Sequence, residues 1–137
     1  MLFIFVLVVL SFAVFMAFKD IKKNFASKEH FDTSADIADL KIALFKADFC
    51  GHCKDYLRSN VFEDTYTTIK GKDNFRGVVF VTYDYDQNKQ LAEQYNIESF
   101  PSIIAIDGAG NMLNTFDGDR YNKEDLVKFV EANRVKA

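Results

Sequence analysis

The chain is poor in the residues that build covalent or metal-bound frameworks. Its 137 residues include two cysteines, two histidines, one proline and no tryptophan. Two cysteines exclude a framework of several structural disulfides. A closed zinc site needs four strong ligands, and here only His30 and His52 could join the two thiols. Because His52 lies between the cysteines, we expect no metal site within one chain, although a cluster shared between two chains stays open.

Basic residues are also too few and too scattered to favour nucleic acid as a partner. The formal net charge is −3, and no basic stripe occurs beyond Lys19, Lys22 and Lys23. These three lysines directly follow an apolar segment, which is typical of anchors at a membrane surface.

That apolar segment, residues 2–18, contains no charged residue and one polar side chain, Ser11. As a helix it would reach about 25 Å, the short end of what spans a bilayer. A cleaved signal peptide is the alternative, but no Lys or Arg precedes the segment and no small-x-small cleavage site follows it. We therefore predict a single-span anchor in residues 1–18, a polar linker in residues 19–36 and a folded domain in residues 37–137.

The side of the membrane that the domain faces is left open by the sequence. The positive-inside rule, applied to the juxtamembrane lysines, places the domain on the cytoplasmic side. A dithiol is better suited to an extracytoplasmic compartment such as the endoplasmic reticulum lumen, and a virion is a further possibility.

Both cysteines occur in one tetrapeptide, Cys50-Gly51-His52-Cys53. Thiols at this spacing can open and close a disulfide within one helical turn, as thiol–disulfide exchange requires. At the start of a helix, Cys50 would be favoured as a thiolate by free N–H groups and the helix dipole. We therefore predict Cys50 as the nucleophile and Cys53, one turn further on, as the resolving thiol.

Hydrophobic patterning predicts an α/β domain in which strands and helices alternate before a hairpin and a last helix. Parallel pairing of the first strands and an antiparallel hairpin together imply a central mixed sheet flanked by helices. The predicted strands are residues 41–45, 78–83, 102–106 and 112–116, and the predicted helices are 50–62, 86–96 and one that begins after Asn122.

Four segments in this order resemble the thioredoxin superfamily, and its protein disulfide isomerase branch in particular. They are Phe49-Cys-Gly-His-Cys-Lys54, Asp86-Gln-Asn88, Tyr95-Asn-Ile-Glu-Ser-Phe-Pro-Ser102 and Phe116-Asp-Gly-Asp-Arg120. The resemblance covers about residues 37–135. It implies a thioredoxin fold, here preceded by one transmembrane helix, that acts on protein thiols and disulfides with a redox partner. No cofactor is implied beyond the redox-active Cys50–Cys53 disulfide.

The resemblance also implies roles for residues around the dithiol. A histidine at position 52 is associated with oxidising members, and a donor beside the Cys50 thiolate would favour the dithiol form. Pro101 is expected to be a cis-proline facing the cysteines, so that the backbone of Phe100 can pair with an extended substrate. Arg120 matches an arginine that lowers the pKa of the second thiol, the alternative being a solvated loop charge.

Three positions depart from the family pattern. Phe49 replaces the usual tryptophan before the first cysteine, which keeps an aromatic surface for substrate but loses its N–H donor. Leu44 replaces a buried carboxylate that accepts the proton of the second thiol, and Lys46 stands where an aromatic residue is common. Proton transfer at Cys53 would then depend on water, Lys46 or Arg120, and turnover is expected to be slow.

The sequence thus predicts a thiol–disulfide oxidoreductase with a preference for oxidase or isomerase chemistry. A thioredoxin-like reductase is the alternative within the same chemistry. A module that binds clients in the groove at Phe100 and Pro101 without turnover is the alternative from another class.

Overall fold

The computed structural model describes residues 38–134. Four strands and four helices occur there, with a short 3-10 turn at Asp73–Phe75. The strands follow the predicted order, and one helix more than predicted lies between the first two strands. They are β1 Leu40–Lys46, α1 Gly51–Ser59, α2 Val61–Ile69, β2 Val78–Asp84, α3 Lys89–Gln94, β3 Ser102–Asp107, β4 Met112–Thr115 and α4 Lys123–Arg134.

The strands form one mixed sheet in the order β2-β1-β3-β4. β1 pairs with β2 in parallel, and the β1–β3 and β3–β4 pairs are antiparallel. β1 is central because its residues are apolar on both faces, as a strand covered by helices on both sides requires. The predicted thioredoxin fold, a mixed sheet flanked by helices, is confirmed.

Alternate residues of β1 point into two separate apolar clusters. Ile42 and Leu44 belong to the larger cluster, which α1, α2 and α4 cover. Ala43 and Phe45 belong to the smaller one on the opposite face, which α3 covers. Since each face of β1 is buried, the strand is fixed in register and its carboxyl end is held firmly where α1 begins.

The helix predicted over residues 50–62 is wrong in its length, because two helices of nine residues occupy this part of the chain. Asn60 separates them in the left-handed conformation, with φ 58°. The Ser59 hydroxyl donates to the Tyr56 carbonyl at 2.6 Å, which competes with continued helical pairing. Asparagine tolerates the left-handed region better than most residues, so the break occurs there.

The helix predicted to begin at Asp86 begins three residues later, at Lys89. The Asp84 side chain accepts the amide N–H of Asp86 at 3.0 Å, and the Asn88 side chain donates to the Asp84 carbonyl at 2.9 Å. These bonds hold residues 84–88 in a turn, because short polar side chains compete with the helix for backbone groups. By contrast Asn122 precedes α4 as predicted, and its side-chain oxygen accepts the amide N–H of Glu124.

The predicted span at residues 2–18 and the linker at residues 19–36 lie outside the described residues. Within residues 38–134, no helix is both long enough and apolar enough to cross a membrane.

Candidate active site

The Cys50 thiol lies at the amino end of α1 and serves as its N-cap. Its Sγ accepts the backbone N–H of Cys53 at 3.3 Å and donates to the Phe100 carbonyl at 3.4 Å. The hydrogen bond with the Cys53 side chain lowers the pKa of Cys50, and the amides of Cys53 and His52 and the charge of Arg120 act in the same direction. Cys50 is therefore the more acidic thiol, and it is partly open to solvent.

Cys53 lies one turn into α1 and is 1% exposed. Its pKa is raised to about 11, mainly by burial and then by the hydrogen bond and charge of Cys50, while the Ala47 amide and the Lys46 charge act in the opposite direction. The two thiols thus differ in both access and acidity, as an attacking thiol and a resolving thiol do.

This asymmetry predicts the order in which the thiols are alkylated. Iodoacetamide added to the reduced protein near neutral pH is expected to modify Cys50 and spare Cys53, since only thiolates react. Peptide mass mapping after short exposures measures the order, and the same protein in denaturant, where both thiols react alike, is the control. Equal modification of the two cysteines in the folded protein would contradict the assignment.

Pro101 and Arg120 both lie beside the Cys50 thiol. The Phe100–Pro101 peptide bond is cis, and the Phe100 carbonyl that precedes it accepts the Cys50 S–H. The Arg120 guanidinium donates to the Pro101 carbonyl at 3.4 Å, which brings its charge close enough to lower the pKa of Cys50. His52 is exposed on α1, and its backbone amide contributes to the stabilisation of the Cys50 thiolate.

Three aromatic rings in mutual contact adjoin the dithiol, and we call Phe49, Tyr85 and Phe100 the aromatic cluster. Their ring centroids are 5.0 Å apart for Tyr85 and Phe100, and 6.3–6.4 Å for the two pairs that include Phe49. Phe49 is 71% exposed, which is unusual for so large an apolar side chain because it leaves apolar surface in contact with water. The sequence analysis did not include Tyr85 in the site. The available signal was its position one residue after β2, because β2 runs parallel to β1 and therefore ends at the same edge of the sheet.

Leu44 and Lys46, the two positions on β1 that depart from the family pattern, have contrasting surroundings. Leu44 is fully buried in the larger apolar cluster, together with Tyr56 of α1. The Tyr56 hydroxyl is buried and has no hydrogen-bond partner among residues 38–134. Lys46 lies at the end of the strand, where its ammonium donates to Asp48 at 2.9 Å and to Asp84.

For metals, the described part of the chain offers no group of three or more His, Cys, Asp or Glu side chains that could hold an ion. His30, the only other imidazole considered as a ligand, lies outside the described residues.

The first strand of the mixed sheet leads into a helix that begins with Cys-x-x-Cys, and this motif lies beside a cis-proline. These features define an α/β domain with a dithiol site. The family of sequences described as Thioredoxin matches residues 22–132, and the chain belongs to this family. The match covers the whole of the sheet and all but the end of α4.

Individual relatives come from the disulfide isomerases. The chain is 33% identical over 86 residues to protein disulfide isomerase-like 2-2 of Oryza sativa, a match covering 63% of this chain and 22% of that protein. It is 31% identical over 93 residues to human protein disulfide-isomerase A4, covering 67% and 14%. The chain thus spans about a fifth or less of the length of these relatives.

Solved structures agree with this fold. Human ERp44 superimposes with a TM-score of 0.63 at 26% identity, covering 79% of this chain and 31% of that one. The first thioredoxin domain of mouse protein disulfide-isomerase A4 has the same TM-score at 24% identity, covering 78% and 71%.

Proposed function

We propose that this domain is a thiol–disulfide oxidoreductase that exchanges disulfides with protein substrates through Cys50 and Cys53. The observation that carries the proposal is the asymmetry of the pair: an accessible thiol of lowered pKa caps α1, and a buried thiol of raised pKa lies one turn behind it. A dithiol arranged in this way can attack, and then release, a mixed disulfide.

The reaction proceeds in two exchanges. The Cys50 thiolate attacks one sulfur of a substrate disulfide, the substrate S–S bond breaks, and the departing substrate sulfur takes a proton from solvent. The Cys53 thiolate then attacks the Cys50 Sγ, forming the Cys50–Cys53 disulfide and releasing the second substrate sulfur, which is also protonated. Two electrons pass from the domain to the substrate, and the reverse sequence oxidises a substrate dithiol.

The preferred direction that we propose is oxidation or isomerisation. Hydrogen bonds and the Arg120 charge stabilise the Cys50 thiolate, which exists only in the reduced form. Stabilising the reduced form makes the disulfide a stronger oxidant, and the exposed His52 imidazole would add to this effect. A measured reduction potential of about −180 mV for the Cys50–Cys53 pair would support the isomerase-like role, and one of about −270 mV would support a thioredoxin-like reductase instead.

The substrate side of the proposal concerns the surface around Phe100. An extended peptide could pair with the Phe100 backbone by strand addition, leaving its side chains against the aromatic cluster. The exposed Phe49 ring then gives preference to apolar side chains near the substrate cysteine. Unfolded or partly folded proteins, which expose such side chains, are the substrate class we propose.

Changing Cys53 to serine tests the activity itself. We expect this variant to accumulate mixed disulfides between Cys50 and client proteins, because the second exchange has lost its attacking thiol. Non-reducing gels of cells expressing a tagged chain, quenched with acid and alkylated, measure the trapped species.

The matched control is the variant with both cysteines changed to serine, which cannot form mixed disulfides. If the folded Cys53→Ser protein traps no client above this control, the alternative of a client-binding module without turnover replaces the proposal.

For localisation, we propose that residues 2–18 hold the domain at a membrane as a single span, with a cleaved signal peptide as the alternative. Protease protection of membranes that contain the tagged chain distinguishes a luminal or extracytoplasmic domain from a cytoplasmic one. The compartment sets the redox poise and hence the net direction of exchange.

A further inference from the structure

Lys46 links the two residues that precede two rings of the aromatic cluster. Its ammonium donates to Asp48 at 2.9 Å and also to Asp84. Asp48 is followed by Phe49, and Asp84 is followed by Tyr85. The Lys46 and Asp84 side chains are 21% and 13% exposed, so their ion pair is screened less than one on the open surface. One ammonium group thus connects the two segments that carry these rings.

Backbone hydrogen bonds fix the same two segments. The Tyr85 amide donates to the Lys46 carbonyl at 2.8 Å, one residue beyond the last pair of β1 and β2. The Cys50 amide donates to the Ala47 carbonyl at 3.1 Å, which closes a four-residue turn that includes Phe49. The Phe49 ring is therefore carried on a short closed turn between the end of β1 and the start of α1.

The three rings of the aromatic cluster differ in how the domain supports them. Tyr85 and Phe100 pack against the smaller apolar cluster, whereas Phe49 is largely exposed. The Lys89 ammonium lies over the Tyr85 ring, 5.9 Å from its centroid. Phe49 meets Tyr85 and Phe100 at interplanar angles of 89°. Phe49 is therefore the ring that offers a free surface, and the other two rings hold it in place.

This free ring adjoins the reacting sulfur. Phe49 directly precedes Cys50, and the Cys50 thiol donates to the Phe100 carbonyl at 3.4 Å. When Cys50 forms a mixed disulfide, the substrate residue next to the bonded cysteine must lie close to the Phe49 ring. Aromatic pairs in offset or edge-to-face arrangements gain more than the burial of their area supplies. An aromatic side chain is therefore the occupant that this position of the substrate favours.

We propose that Tyr85 is a specificity-determining residue, which with Phe100 holds Phe49 as a docking surface for an aromatic side chain next to the substrate cysteine. Lys46 is a positioning residue for this surface, because it fastens both ring-bearing segments through the carboxylates that precede the rings. The inference rests on the proposed oxidoreductase activity and names the substrate class that its first exchange prefers.

A competition between two peptide disulfides measures this preference. Each substrate is a symmetric dimer of one unstructured peptide, joined through its only cysteine. One peptide has phenylalanine beside the cysteine, and the other has serine there. The reduced, full-length protein is added in limiting amount to an equal mixture of the two dimers. Cys50 attacks one sulfur and releases a first peptide thiol, and Cys53 then forms the Cys50–Cys53 disulfide and releases the second.

The ratio of the two released peptides, measured by mass spectrometry after acid quenching at short times, gives the preference. We expect about two- to tenfold more of the phenylalanine peptide, from the strength of one aromatic pair. The same mixture treated with glutathione in place of the protein gives the intrinsic reactivity ratio, which corrects this value. Because both dimers compete for the same protein molecules, the ratio does not depend on the fraction of a variant that is folded.

Tyr85→Ala and Phe49→Ala should each bring the ratio close to that of glutathione. Since Phe49 is largely exposed, its replacement should leave the protein folded, and it tests the surface even where Tyr85→Ala fails to fold. Lys46→Gln should lower the ratio, whereas Lys46→Arg, which can donate to two carboxylates, should retain it. Tyr66→Ala is the matched control, because it removes the same kind of ring from α2, where Tyr66 stacks on Phe80.

The outcomes separate this inference from the proposed function. If the unmodified protein releases both peptides in the glutathione ratio, or if Tyr85→Ala keeps the preference, the specificity assigned to Tyr85 is overturned while the oxidoreductase activity stands. Loss of the preference in Tyr66→Ala as well would also overturn it. If Lys46→Gln keeps the preference that Tyr85→Ala loses, Lys46 has no positioning role. If the unmodified protein releases neither peptide, the proposed function itself fails.

Discussion

Replacing Cys50 by serine is expected to lower the rate of disulfide exchange by about 10³-fold or more. A serine hydroxyl is not ionised near neutral pH and cannot form a disulfide, so neither exchange can begin. The rate of reduction or oxidation of a peptide disulfide, followed by mass spectrometry under a fixed glutathione ratio, measures the loss.

The isosteric change should leave the fold intact, because Cys50 is partly exposed and serine is itself a favoured N-cap residue. Cys53→Ser is the matched control: it should retain the first exchange while losing the second. Residual exchange in Cys50→Ser above one tenth of the original rate, to order of magnitude, would mean that Cys53 attacks substrate directly.

Leu44→Glu is expected to lower the free energy of unfolding by about 3–5 kcal/mol near neutral pH. The substitution removes an apolar side chain that is fully buried and places a carboxyl group in the larger cluster. Burial favours the neutral form of the acid and raises its pKa in the folded state, so the charge must be desolvated or the proton retained. Urea unfolding monitored by circular dichroism measures the loss.

The loss should depend on pH with a defined sign. Since the folded pKa of the new acid exceeds its unfolded value of about 4.3, its proton-linked stability is complete below that value and is lost as pH rises toward the folded pKa. Leu44→Gln, which is polar but does not titrate, should show a cost without this dependence. A Leu44→Glu protein as stable near pH 8 as near pH 4, relative to the glutamine variant, would show that position 44 reaches solvent.

Much of the fold could be predicted because its signals are local. β1 and β3 are short, continuous apolar runs, the composition that a strand buried on both faces requires. The last helix has an asparagine at its start whose side chain bonds the backbone two residues on. The Cys-x-x-Cys spacing likewise places both thiols in one turn, whatever the rest of the chain does.

The errors arise where polar side chains decide between competing local structures. The break at Asn60 and the turn before Lys89 depend on single side-chain hydrogen bonds, which Ser59 and Asn88 donate and Asp84 accepts. Apolar periodicity continues through both places, and periodicity alone therefore predicts helices that are too long.

Parts of the candidate site depend on pairing between distant segments. The contact between Lys46 and Asp84 exists because β1 and β2 pair in one particular register, 38 residues apart in sequence. Tyr85 joins Phe49 and Phe100 for the same reason, since the rings come from three separate loops. Such partners can be named only once the strand register is known.

Because Cys50 caps α1, the free energy of unfolding of the domain should depend on whether the cysteine pair is reduced or oxidised. In the reduced domain the Cys50 sulfur accepts the Cys53 amide N–H at 3.3 Å, and closing the Cys50–Cys53 disulfide would alter this bond. Two differences are linked in a closed thermodynamic cycle. The unfolding free energy of the reduced form minus that of the oxidised form is proportional to the reduction potential of the folded pair minus that of the unfolded pair. About 30 mV corresponds to about 1.4 kcal/mol for two electrons. If the domain acts as the oxidase proposed above, its folded disulfide has a higher reduction potential than the unfolded pair, and the cycle then requires the reduced form to be the harder one to unfold.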